Sequence, residues 1–192
     1  MEKIKNWLEN NLSEERYKHS LGTAMTAKKM AIDFNLDANK AELAGLLHDC
    51  AKEISYQEMV NIVKFNNLQE LLNIDIDELN TKKVLHAPVS AYLAKEKFQI
   101  LDNEILMAIR FHTIGRIGMS NFEKIIFLAD KIEPFTRTEE HFCMLRNKLE
   151  LTQDLNKTLL FCSQMTIKSL IERDLPINQA TINLYNYLLS LN

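Results

Sequence analysis

Five histidines stand in the chain, at positions 19, 48, 86, 112 and 141. Four of them sit on or beside apolar helical stretches, in "RYKHS", "AGLLHDC", "VLHAPVS" and "AIRFH". Asp49 follows His48 directly, and Lys52 follows Asp49 three residues later, just where an apolar run gives way. Asp130 lies inside "KIIFLADKIEP", an apolar stretch where a carboxylate is costly unless it is paired or bound to a metal. A lone histidine on such a helix is more often a hydrogen-bonded core or surface residue than a ligand. Here His19, His48, His86 and His112 join Asp49 and Asp130 at helix ends or faces that can converge. Imidazole with carboxylate, and no sulfur, suits borderline divalent metals: Fe, Mn, Co, Ni or Zn. One carboxylate can bridge two ions, and adjacent His48 and Asp49 can reach different parts of one site. His141 falls outside the set and reads as a surface residue.

Such a set needs helices to gather it, as bundles do with inward side chains on neighbouring helices. Glycine (4) and proline (3) are scarce in this sequence, against averages of about 7% and 5%. Folds rich in tight turns consume both, so the expected class is all-α. Ile4, Trp7, Leu8 and Leu12 form one apolar stripe on a first helix. Ser13 caps a second helix through Tyr17, Leu21, Ala24 and Ala31, with Glu14 and Glu15 suiting its N-terminus. Asp37 and Asp102 cap the helices that lead to His48 and His112, the latter over Asn103–His112. Ser55 with Glu58, and Ser120 with Glu123, have capping-box spacing. Pro88 suits the first turn of a helix through Tyr92, with His86 just before it. From about Glu139 to Arg173 the period is again helical, and Pro176 restarts a last helix. Segment 66–80 is the most loop-like. Gly22 and Gly45 each lie three residues from a candidate ligand, where they serve close helix approach or simple packing.

The 192 residues are 46% hydrophobic and 26% charged, ordinary for a globular chain with a sizeable core. A net charge of −3 argues against a general nucleic-acid binder, yet leaves room for a local cluster of cations around a small anion. Cys50, Cys143 and Cys162 form no CxxC pair and read as reduced thiols. The opening "MEKIKNWLENN" lacks the apolar core of a signal peptide, and no run approaches the ~20 residues of a membrane span. The expected location is the cytosol.

The stretches "RYKHSLGTA", "GLLHDCAKE", "HAPVSAYL", "IRFHTIGRIGMS" and "FEKIIFLADKIEP" together resemble the YqeK family of bacterial HD-domain proteins. The resemblance covers roughly residues 13 to 137. It implies a single HD-type helical bundle over 1–192, with the core at 13–137 and helices of 138–192 packing on it. It also implies symmetrical hydrolysis of diadenosine tetraphosphate to two ADP. The metal ligands would be His19, His48, Asp49, His86, His112 and Asp130, with Asp49 bridging two ions, iron being the metal suggested. Asp49 and Lys52 would be catalytic. Lys52, Thr113, Gly115, Arg116 and Arg137 would meet phosphate or nucleotide, with Arg110 and Lys131 as further cations. Phe111, Phe135 and Tyr17 are candidates for an adenine slot. The partner would be a dinucleoside polyphosphate, with no membrane and no general nucleic-acid binding; a homodimer is one option for assembly. Other readings stay open: an HD enzyme acting on nucleoside monophosphates, (p)ppGpp or cyclic dinucleotides, a non-catalytic nucleotide sensor, or a plain helical interaction module.

Overall fold

The computed structural model describes residues 1–72, 74 and 81–191. Among the described residues the chain forms eleven helices and no strand. These are α1 (Glu2–Asn11), α2 (Glu14–Asp33), α3 (Ala38–Leu47), α4 (Tyr56–Phe65), α5 (Leu68–Leu71) and α6 (Lys82–Phe98). They continue with α7 (Asn103–Phe111), α8 (Asn121–Ile132), α9 (Glu140–Thr152), α10 (Leu155–Glu172) and α11 (Gln179–Leu189). None of them is long and apolar enough to cross a membrane.

Side-chain caps set where most of these helices begin. Ser13 Oγ accepts from Arg16 N, and Asp37 Oδ1 accepts from Asn39 N and Lys40 N at 2.9 and 3.0 Å. Asp102 Oδ1 accepts from Glu104 N at 2.9 Å. Ser55 caps α4, and Ser120 with Glu123 closes a reciprocal capping box on α8. Each cap satisfies backbone N–H groups that otherwise lack partners, worth about 1 kcal/mol. The starts of α3 and α7 fix their phase, and so where His48 and His112 fall, as the residues that close those two helices.

Packing then brings the capped helices together. The buried face of α2 is built from small residues, including Ser20, Gly22, Thr23, Ala24 and Ala27, and it packs on α3. At Gly45 a Cβ would stand 2.9 Å from the Ala24 Cα and 3.0 Å from the Thr23 carbonyl oxygen, so this glycine permits close approach. Helix α8 is buried along most of its length, with Phe122, Ile125, Ile126, Leu128 and Ala129 in the main core. It packs against α2, α3, α7, α9 and α10, which makes it the central helix. Leu145, Leu155, Leu159, Leu184 and Leu188 of the C-terminal helices join that same core. A second cluster, with Met59, Val63, Leu85 and Val89, lies under α4.

Two local expectations, at Pro88 and at Pro176, are corrected, and the expected helical stretch after Glu139 holds with one break. Helix α6 begins at Lys82, so Pro88 lies inside it and His86 is helical. A proline there forgoes one backbone hydrogen bond; the burial of Leu85, His86, Ala87 and Val89 on one helix outweighs that cost. The helical stretch after Glu139 is two helices, broken where Gln153 takes φ 48° and Asp154 caps α10. The last helix starts from an Asn178 cap, not from Pro176. Within segment 66–80, Leu68–Leu71 is a short helix, and residues 73 and 75–80 lie outside the described residues.

Candidate metal centre

Five elements deliver six ligand-type side chains to one point. His19 comes from the middle of α2, His48 and Asp49 from the end of α3, His86 from α6, His112 from the end of α7 and Asp130 from α8. All six are buried, none more than 4% exposed. The imidazole centroids of His19 and His48 are 5.2 Å apart, those of His48 and His112 4.9 Å, and those of His86 and His112 5.1 Å. The turn after His48 is pinned to α6, because Ala51 N donates to Ser90 Oγ at 3.1 Å.

Asp49 divides the cluster. Its Oδ1 faces His86 Nε2 at 3.0 Å and His112 Nε2 at 3.4 Å. Its Oδ2 faces His48 Nε2 at 3.6 Å and His19 Nε2 at 4.0 Å. Asp130 Oδ1 stands on that second side, 2.9 Å from His19 Nε2 and 3.7 Å from His48 Nε2.

Hydrogen bonds behind the rings decide which nitrogens face inward. His48 Nδ1 lies 2.7 Å from the Gly45 carbonyl oxygen, and His112 Nδ1 lies 2.8 Å from that of Ile109. A carbonyl only accepts, so each Nδ1 carries the proton and each Nε2 turns a lone pair inward. His19 Nδ1 lies 3.0 Å from Glu133 Oε1. Among the described residues, His48 Nε2 and Asp49 Oδ1 are buried without a hydrogen-bond partner. Such orphans are costly unless something else satisfies them. A divalent cation would do so, and the neutral nitrogens and carboxylates are its ordinary ligands. The residues present therefore fit a metal.

The electrostatics agree with that donor set. Burial would raise the Asp49 carboxyl, but the imidazoles of His48, His86 and His112 around it hold it well below the usual carboxylate range. Burial likewise opposes ionisation of Asp130, and the Lys131 charge and the His19 hydrogen bond overcome it. Burial pushes His112 down to about 3 and lowers His86, so both are neutral donors. His19 is raised: burial lowers it, and hydrogen bonds to Asp130 and Glu133 outweigh that.

Cations surround the centre. Lys52 Nζ is 2.9 Å from His86 Nε2 and 3.5 Å from Asp49 Oδ1. Thr113 Oγ1 is 3.2 Å from His112 Nε2 and 3.3 Å from His86 Nε2. Arg137 donates to the Asp130 carbonyl at 3.0 Å and to Asp130 Oδ1 at 3.2 Å. Lys131 Nζ also meets Asp130. Other candidates sit elsewhere. Arg116 is held by both oxygens of buried Glu123, at 2.8 and 2.9 Å. Gly115 takes φ +68° and packs beneath Leu184, whose Cδ2 would lie 2.4 Å from an added Cβ. Arg110 is buried and donates to the Leu72 carbonyl at 3.3 Å. Phe111 lies beneath Arg110 and lines a cavity of about 670 Å³ that none of the six cluster residues borders. Phe135 is 39% exposed near Ser13 and Lys18, and Tyr17 packs on the core.

A cavity of about 520 Å³ opens beside Lys131, between α9 and α10. Phe142, Leu145 and Met165 belong to its apolar lining, and His141, Lys168, Glu172 and Arg173 to its polar one, with Lys168 Nζ 3.7 Å from Glu172 Oε1. The Arg137 guanidinium lies 5.2 Å over the Phe142 ring, so Lys131 and Arg137 both link Asp130 to this groove.

Two residues at the cluster escape a reading of its ligand types alone. Arg16 Nη1 donates to Asp49 Oδ2 at 2.9 Å, and Glu133 supports His19. Each is three residues from a ligand on the same helical face, Arg16 before His19 and Glu133 after Asp130. That spacing is the signal that would find them.

The HD-domain pattern matches residues 16–134. A Staphylococcus aureus protein named bis(5'-nucleosyl)-tetraphosphatase, symmetrical, is 38% identical over 188 residues, covering 97% of this chain and 93% of that protein. A Bacillus subtilis protein of the same name is 37% identical over 186 residues, covering 95% and 94%. The crystal structure of a Clostridium acetobutylicum protein, described as a predicted HD superfamily hydrolase involved in NAD metabolism, superposes with a TM-score of 0.92. It is 39% identical and covers 100% of this chain and 97% of that one. The chain belongs to the HD-domain family, in its YqeK-type branch.

Proposed function

We propose that this protein is a metal-dependent phosphoanhydride hydrolase that cuts diadenosine tetraphosphate at its central anhydride and releases two ADP. The names carried by the Staphylococcus and Bacillus relatives support the substrate. The observation that carries the chemistry is the buried six-residue cluster, whose His48 Nε2 and Asp49 Oδ1 have no hydrogen-bond partner among the described residues. His19, His48 and Asp130 with Asp49 Oδ2, and His86 and His112 with Asp49 Oδ1, form two half-sites that share one carboxylate. That division supports two ions with Asp49 between them. Iron is the first candidate, and the nitrogen and oxygen donors also accept Mn, Co, Ni or Zn. Bound divalent ions lower the pKa of water from about 15.7 toward ~7 and offset charge on phosphoryl oxygens.

The chain's own residues supply the rest. Asp49 fixes the relative position of the two half-sites. Lys52, beside Asp49 and His86, offsets the charge that builds on the phosphoryl oxygens in the transition state. Thr113 places a hydroxyl beside His86 and His112, where it orients a phosphate oxygen. Arg137 and Lys131 meet the phosphate chain as it leaves the cluster. The groove beyond them takes one nucleoside, with its apolar lining against the base. This gives the C-terminal helices a role. We place the enzyme in the cytosol, where the unpaired Cys50, Cys143 and Cys162 stay reduced.

Product analysis tests the reading. Metal-loaded protein incubated with diadenosine tetraphosphate should yield ADP as sole product. AMP with ATP would mean a cut at another anhydride, and no product would remove this substrate.

A further inference from the structure

Glu133 closes a contact that the six ligands do not explain. Its carboxylate is buried at the C-terminal end of α8, three residues after Asp130. Oε1 lies 3.0 Å from His19 Nδ1, and the Thr136 hydroxyl shares that nitrogen at 3.2 Å. Phe135 N donates to Oε2 at 2.6 Å, Thr136 N donates to Oε1 at 3.0 Å, and the Thr136 hydroxyl also donates to Oε1. Both oxygens thus act only as acceptors. A carboxylate can do this; an amide, with its NH₂ facing one of these donors, cannot.

Space for this carboxylate comes from α2. A Cβ on Gly22 would lie 2.3 Å from Glu133 Oε2, 3.0 Å from its Cδ and 3.1 Å from Phe135 Cδ2. Gly22 sits three residues after His19, mid-helix, where glycine is a poor helix former. Its role is therefore room for the Glu133 head group, one turn along from the imidazole that head group holds.

We infer that Glu133 is a positioning residue for the metal centre: it keeps the proton on His19 Nδ1 and so aims the Nε2 lone pair at the ion, and Gly22 is there to admit it. The inference rests on the reading of His19 as a metal ligand. Carboxylates behind metal-bound imidazoles typically govern affinity by ~10–100-fold.

The experiment is a competition between the full-length protein and a chelator for zinc, in wild type, Glu133→Gln, Gly22→Ala and the double variant. Both single variants should bind zinc about 10–100-fold more weakly, and the double variant should be no worse than the weaker single one. Metal-free Gly22→Ala should keep its helical circular dichroism, since alanine favours helix. In zinc-loaded wild type, nitrogen NMR should show His19 protonated at Nδ1 only, and Glu133→Gln should lose that signature. Should Gly22→Ala fail to fold, Glu133→Gln and the NMR signature decide. Zinc affinity within threefold of wild type in Glu133→Gln, or a metal on His19 Nδ1, would overturn the inference. Wild type that binds no zinc would overturn the metal-centre reading and this inference with it, and that result is distinct from weakened binding in the variants alone.

Discussion

Replacing Asp49 by Asn tests the cluster with almost no change of shape. The carboxylate oxygens face two sets of groups: His86 and His112 nitrogens at 3.0 and 3.4 Å, and Arg16 at 2.9 Å with His48 at 3.6 Å. An amide satisfies both sides without a metal. Its oxygen accepts from Arg16, and its NH₂ donates toward the His112 Nε2 lone pair that the Ile109 carbonyl sets. The fold should survive, with the melting temperature of metal-free protein changed by less than about 4 °C, the equivalent of ~1 kcal/mol for a chain of this size. The metal does not survive so well. A unit charge 4 Å from another is worth about 4 kcal/mol at an effective dielectric of 20, and more against a divalent ion. Discounting half for the oxygen that remains as a neutral ligand leaves at least ~2 kcal/mol, a factor of roughly 30 or more in metal affinity at 1.4 kcal/mol per tenfold. Turnover of diadenosine tetraphosphate should drop by more than about 1,000-fold, because nucleophile and charge neutralisation are lost together. The assay combines metal analysis, a thermal melt with and without metal, and initial rates. Stoichiometric tight metal in Asp49→Asn, with a rate within tenfold of wild type, would rule out Asp49 as a ligand.

Lys52→Met should keep metal content at the wild-type level while lowering kcat by roughly 100-fold or more, the usual cost of losing one donor aimed at developing charge; a rate within threefold of wild type would show the ammonium to be a bystander. Gly45→Ala should drive a methyl group to 2.9 Å from Ala24 Cα, costing about 1–3 kcal/mol and seen as a fall of roughly 2–12 °C in melting temperature. Metal-free protein should weaken toward acid, read from denaturation midpoints. Burial places His112 at about 3 and lowers His86, so each contributes stability present above the unfolded value of 6.5 and lost as pH falls toward its folded value. The slope is up to about 1.4 kcal/mol per pH unit for each proton. His19 opposes this, since its raised folded pKa gives stability complete below 6.5 and lost as pH climbs through the folded value. Asp49 and Asp130, held well below 3.8, stay ionised through this window, and their contribution is lost only as pH falls through their depressed folded values. Stability that rises on acidification from 6.5 would reverse the assignment.

Much of this was legible because it is local. Ser13, Asp37, Asp102 and Ser120 each satisfy backbone groups within three residues, so their caps can be read without knowing the fold. The ligand types could be read too, since a carboxylate in "IIFLADKI" needs a partner. Pro88 misled because a local start signal lost to burial of its neighbours along α6. Arg116 shows the same limit: Glu123 was legible as a capping residue, but its second use, as the acceptor that holds Arg116, depends on the loop before α8 folding back. The groove beside Lys131 is built by α8, α9 and α10 together, and no single stretch of sequence carries it. Gly22 was legible as a place of close approach. Its neighbour is the Glu133 carboxylate, 111 positions further on, which only the packed structure supplies.

One buried cluster that binds metal and, through it, opens a phosphoanhydride is what every step above depends on. The most direct measurement is turnover of diadenosine tetraphosphate by metal-stripped protein as metal is added back in counted equivalents. Stripped protein should give no ADP, and the rate should rise and level at about two equivalents, as expected of a two-metal site. Full turnover by stripped protein in excess chelator would contradict it.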